Sequence, residues 1–180
     1  MRTPKTVRGL EEFTRVRLSR SFFMRDFLYS DISNLHGVPN LPADPDLAIA
    51  AGRRLCEELL EPLQAAFGRL AIRSAYRSAA VNAFGNAHHN NCASNERNYA
   101  RHIWDRRDAR GSMGAMACVV VPWFADRLLE APRGRRWRGG STITCPTANC
   151  NSFRSSAPST SDGKNIQSER FTASSTLAGI

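Results

Sequence analysis

The sequence predicts an α+β fold, with N-terminal helices packed on a small antiparallel sheet that is incomplete at the C-terminus. Three observations lead there. Asp44 to Gly68 carries the apolar spacing of a long amphipathic helix. Two apolar runs, Leu70 to Tyr76 and Ala115 to Val121, follow the helices instead of alternating with them. Near Arg133 the composition then changes: Gly139 to Ile180 holds 15 Ser or Thr in 42 residues and only six large apolar side chains. That is too little apolar surface to offset the entropy of ordering the segment.

Taken in order, Met1 to Arg17 mixes charges of both signs, and residues 1–20 are expected to be a flexible N-terminal segment. Phe23, Phe27 and Leu28 lie at helical spacing within Ser21–Ser30, and the helix is expected to extend to Leu35. Gly37, Pro39 and Pro42 then enforce a loop. Asp44 is a suitable N-cap with Pro45 at the first helical position, and the helix that follows runs through Ala48, Ala51, Leu55, Leu59 and Leu63 to Gly68. Leu70–Tyr76 alternates as a strand, and Ser78–Asn86 reads as a short helix closed by Gly85. The polar stretch to Asn95 reads as a loop, Tyr99–Trp104 as a second strand, and Asp105–Gly114 as a charged turn. Ala115–Val121 is a buried strand stopped by Pro122, and a further helix is expected from Trp123 to Glu130.

The tail has a second property. Reading Gly139–Cys150 one base earlier, with suitable synonymous codons, yields Trp-Trp-Ile-His-Asp-His-Leu-Pro-Tyr-Cys-Gln-Leu, and the remainder to Ile180 continues without a forced stop. That hidden text is aromatic, amphipathic and rich in histidine. The expected organisation is therefore a domain over residues 21–130, lacking its last third, followed over 131–180 by a disordered Ser/Thr-rich basic tail translated out of frame. A genuine disordered tail is the alternative.

Charge is uneven. The chain carries a net +9, of which residues 131–180 supply +5 from seven basic and two acidic side chains. The basic excess thus argues little for a nucleic-acid partner. Five cysteines with no CxxC pair and no secretion signal argue against a disulfide framework. No apolar run approaches a membrane span and Met1–Arg20 has no apolar signal core, so synthesis in the cytosol without a membrane partner is expected. Oligomeric state is not legible.

Four stretches together carry a resemblance: Phe23…Phe27-Leu-Tyr-Ser30, Gly37-Val-Pro-Asn40, Leu60-Glu-Pro-Leu63, and Ile72-Arg-Ser-Ala-Tyr-Arg-Ser78 with Val81-Asn82. They resemble the zinc D-alanyl-D-alanine carboxypeptidases and relatives with the hedgehog/DD-peptidase fold. The resemblance spans about Phe22 to Phe124 and implies a Zn2+ cofactor and a peptidoglycan stem peptide as substrate. It places Arg77 at the family's catalytic arginine and makes His102 the first metal ligand, with Asp105 or Asp108 in reach. The chain departs from the family in spacing: position 109 is Ala where the aspartate is expected, and in one alignment Cys118 takes its place. His88 and His89 are alternative ligands, and His36 is expected to be structural. No histidine follows His102, so the late ligand is missing and the site is expected to be incomplete and inactive. A non-catalytic binding or structural relative is the alternative. A nuclease-like site at His88–Asn91, or Cys92 as nucleophile with His89, has less support from the residues.

Overall fold

The computed structural model describes residues 1–123 and the strand backbones of 154–156 and 170–176. Its helices are α1 (Val7–Thr14), α2 (Asp31–His36), α3 (Pro45–Leu55), α4 (Glu61–Phe67), α5 (Ala79–Ala87) and α6 (Asn95–Asn98). Its strands are β1 (Ala71–Ser74), β2 (Gly114–Val120), β3 (Arg154–Ser156) and β4 (Arg170–Thr176), in sheet order β1-β2-β4-β3 with every pair antiparallel. The class is α+β, as the sequence predicts.

The long helix forms as its caps dictate. The Asp44 carboxylate accepts the Leu47 N–H at 3.0 Å, Pro45 opens the helix, and Gly68 ends it at φ 80°. Between α3 and α4, Cys56–Leu60 winds as a π-helical turn. Pro62 accounts for that widening, because it lacks an N–H and its ring crowds the carbonyl one turn back.

Alternation places Ala115, Ala117, Val119 and Val121 in the core, while Met116, Cys118 and Val120 stay half-buried on the other face. α3 packs against β2, and its buried face carries Ala48, Ala51 and Gly52. A Cβ on Gly52 would sit 2.9 Å from Trp104 Cζ3 and 3.1 Å from Leu18 Cδ1, so only glycine permits this approach. Trp104, Tyr76, Phe13, Phe27 and Leu18 are the largest wholly buried side chains.

Four expectations are corrected. Residues 1–20 are not a loose leader: Phe13 and Leu18 are core residues, and Glu61 accepts hydrogen bonds from Ser19 Oγ (2.7 Å) and Ser21 N–H (2.6 Å). The opening helix is broken into a 3-10 turn at Met24–Phe27 and α2, because Ser30 adopts extended backbone and caps α2 by accepting the Ser33 N–H. α5 runs past Gly85 to Ala87. Tyr99–Trp104 is a tight turn, with Ala100 at φ 55° and a single bridge between Tyr99 and Ile103. The expected helix after Trp123 and most of the tail lie outside the described residues. Within the tail, 154–156 and 170–176 pair as strands.

Candidate functional site

β1 ends at Ser74, and the next four residues form the turn on which the site is built. Each backbone group of this turn is held from a different direction. Tyr76 N–H donates to Phe27 O (3.1 Å) and Arg77 N–H to His102 O (2.8 Å). Asn40 supplies three bonds: its amide donates to Leu28 O (2.9 Å) and Tyr76 O (3.1 Å), and its carbonyl accepts Ser78 N–H at 2.7 Å. Ser78 Oγ donates to Pro39 O and caps α5 by accepting Val81 N–H. Arg77 therefore leaves a fixed backbone.

The half-buried Arg77 guanidinium donates to Cys92 Sγ at 3.1 Å. It lines a cleft of about 530 Å3 together with Arg73, His89, Cys118, Tyr29 and Leu35. Among the described residues the one carboxylate in the lining is Asp31, which accepts the Tyr29 hydroxyl at 2.9 Å. Neither Arg73 nor Arg77 joins an ion pair among the described residues. With two guanidinium groups and one carboxylate among its described lining residues the cleft is net cationic, and neither guanidinium is paired with a described carboxylate. Cys92 itself is wedged against α5: a Cβ on Gly85 would lie 2.6 Å from its sulfur.

His102 is buried and its Nδ1 lies 2.7 Å from Ala75 O. A carbonyl only accepts, so Nδ1 carries the proton and Nε2 keeps its lone pair. Burial, and then the nearby Arg77 charge, push the imidazole down to about 4. The unfolded side chain titrates near ~6.5. Between these values the unfolded state binds the extra proton, so the stability from neutral His102 is complete above pH ~6.5 and lost as pH falls towards 4, about 3 kcal/mol in total. Urea midpoints measured from pH 7.5 to 4 should fall over this window, and His102→Gln should flatten that part of the profile. An unchanged slope in the variant would assign the acid sensitivity elsewhere.

The two aspartates expected beside His102 have other work. Asp105 is buried and its Oδ2 accepts Ala43 N–H at 2.7 Å, tying its turn to the loop before α3. Its Oδ1 lies by the buried Tyr76 hydroxyl, and neither atom has another hydrogen-bond partner among the described residues; burial first and the Asp105 charge second keep that phenol protonated. Asp108 Oδ1 accepts the Arg110 and Ser112 N–H groups, both at 2.9 Å, and closes its own loop. Among the described residues no three His, Cys, Asp or Glu side chains are placed to hold a metal.

His88 stacks on Phe84 at 3.9 Å, with Nδ1 bonded to Phe84 O, and His36 packs on the same ring at 4.7 Å. Of the loop histidines, His36 and His89 line the cleft. Cys56, Cys92 and Cys118 are free thiols, and burial pushes Cys56 well up, so it stays protonated.

A catalytic zinc takes three protein donors and an open position. Neutral His102 has the right form for one, and Cys118 places a sulfur at the cleft wall. Arg73 and Arg77 share the cleft wall with Cys118 and oppose a dication, His102 is not among the residues that line this cleft, and the described residues supply no third donor. These residues alone do not fit a catalytic zinc.

Two features of the site were not read from the sequence. Asn40 stood within the Gly37-Val-Pro-Asn40 stretch, but its bonds to both Leu28 and Tyr76 depend on tertiary contact. The bond from Arg77 to Cys92 spans 15 residues and has no local signal. Comparisons with protein-family models, curated proteins and solved structures find no match for this chain.

Proposed function

We propose that this chain is a relative of the zinc D-alanyl-D-alanine carboxypeptidases that, as it stands, binds a carboxylate-terminated peptide of the peptidoglycan stem type without hydrolysing it. The observation that carries this reading is Arg77: a half-buried guanidinium in a 530 Å3 cleft, on a turn clamped by Asn40 and His102, with no described carboxylate to neutralise it. A planar, fixed guanidinium suits bidentate capture of a carboxylate. The resemblance supplies the peptide class, and the shortage of metal donors supports binding over cleavage.

Titration calorimetry with diacetyl-L-Lys-D-Ala-D-Ala tests the idea. Arg77→Ala should weaken binding by about tenfold or more, the worth of one charge-assisted hydrogen bond or two, and Arg77→Lys should restore only part of it. Equal affinity in the alanine variant would remove Arg77 from the site. Metal analysis of the purified chain should find well under one zinc per molecule; stoichiometric zinc with release of D-alanine would make the chain an active hydrolase instead.

A further inference from the structure

β1 and β2 do not pair evenly. Ala71 stands opposite Val120 and Ile72 opposite Val119, but the next pair is Ser74 with Cys118. The register slips by one residue, and Arg73 is left with no partner of its own. Arg73 and Ser74 together oppose Cys118, which is the arrangement of a β-bulge.

The slip decides where the Arg73 side chain goes. Along an even strand consecutive side chains point to opposite faces, so Arg73 and Ser74 would not share a surface. A bulge suspends that alternation over its two residues and re-aims a side chain. Arg73, Ser74 and Cys118 accordingly all line the 530 Å3 cleft that also holds Arg77.

The fold itself makes little use of the redirected arginine. Arg73 is exposed, and among the described residues its guanidinium makes no ion pair and no hydrogen bond. Asp31, the described carboxylate in the lining, is bonded to the Tyr29 hydroxyl. Two like charges lining one cleft repel, and that cost is recovered only when anions enter. A ligand with a single carboxylate satisfies one of them. A ligand with two satisfies both.

We propose that Arg73 is a second anion-binding residue of this cleft, and that the ligand is a peptide with two carboxylates. Arg77 holds the C-terminal one, and Arg73 holds one on a side chain. The inference rests on the carboxylate-binding reading and narrows the class of ligand. Residues 73 and 77 are four apart, at most about 13 Å along an extended chain at ~3.3 Å per residue. The acidic side chain therefore belongs one or two residues before the C-terminal one.

Titration calorimetry on the full chain tests this, in about 0.15 M salt to screen distant charges. The probes are acetyl-Glu-D-Ala-D-Ala, acetyl-Ala-D-Glu-D-Ala, the glutamine counterpart of each, and the C-terminal amides of the glutamine peptides. The better glutamate peptide should bind about fivefold tighter than its glutamine counterpart, the upper range for a partly exposed charge pair. In Arg73→Ala that preference should vanish, with the glutamine peptide held within about twofold of its parent affinity. The urea midpoint of this variant should match the parent's, because the side chain is exposed. Equal binding of glutamate and glutamine peptides, with acid preferred over amide, overturns the second site and leaves the carboxylate reading standing. A glutamate preference that survives Arg73→Ala, or an equal loss for both peptides in that variant, also overturns it. Amides that bind as well as the acids overturn the carboxylate reading and the two-carboxylate ligand with it, as does absence of binding by every probe.

Discussion

Replacing Trp104 by alanine should strip the domain of a large share of its stability. The side chain is wholly buried, its ring lies 5.3 Å from that of Phe27 and 6.0 Å from that of Tyr76, and its indole N–H donates to Met116 O at 3.3 Å. Truncating a buried tryptophan costs about 3–5 kcal/mol, against a total stability of about 5–15 kcal/mol for a typical domain. Neighbours can reduce such a loss by collapsing into the space, but here one wall is the α3 backbone at Gly52, already in contact with the ring. Trp104 also stands two residues from His102 and next to Asp105, so the site loosens with the core. Circular dichroism during urea denaturation should show a midpoint far below the parent's in the alanine variant and a smaller drop in Trp104→Phe. A midpoint within measurement error of the parent for the alanine variant would contradict this account of the core.

Asn40→Leu should be nearly as damaging, by a different route. Leucine matches the volume but leaves three groups without their partner: Leu28 O, Tyr76 O and Ser78 N–H. Orphaning a buried polar group costs about 1–3 kcal/mol, so a loss of about 3 kcal/mol or more is expected. Protein that remains folded should also bind the peptide probe more weakly, because the Asn40 bonds fix the residues on either side of Arg77. Asn40→Asp keeps the acceptor for Ser78 but turns a negative oxygen towards two carbonyls, and should rescue little. Hydrogen exchange at the Ser78 amide is the direct readout: fast exchange in a folded Asn40→Leu protein is expected, and retained protection would show that another group holds the turn.

What the sequence made legible was local. Asp44 and Pro45 mark the start of α3 by their own chemistry, and Ser78 caps α5 in the same way. β1 and β2 follow from short apolar runs bounded by polar turns. The errors lie where a distant partner decides. Nothing near Phe13 announces that it joins the core, and the Tyr99–Trp104 run looks like a strand until Asn98 is placed. Its side chain donates to Asn82 Oδ1 at 2.9 Å and its carbonyl accepts from Arg101 N–H and Ile103 N–H, which curls the segment into a turn. The site divides likewise. Arg77 and His102 come together through their backbones, Arg77 N–H donating to His102 O. Asp105 and Asp108 were within reach of His102 in sequence, yet each is spent on backbone N–H groups of a loop. Carboxylates near a histidine in sequence carry no label saying which of these two jobs they do.

The pairing of β2 with β4 has a consequence for how such a chain survives in a cell. Register from Gly114 opposite Thr176 to Val119 opposite Phe171 is built from main-chain groups, which every residue except proline supplies in full. A ladder of that kind tolerates almost any side chain. Without it, Ala117-Cys-Val-Val-Val121 would become a bare edge, rich in β-branched residues and free of charge. The paired strand at 170–176 therefore covers the main-chain edge of the domain's most apolar stretch whatever side chains it carries, and keeps that stretch from pairing with its neighbours.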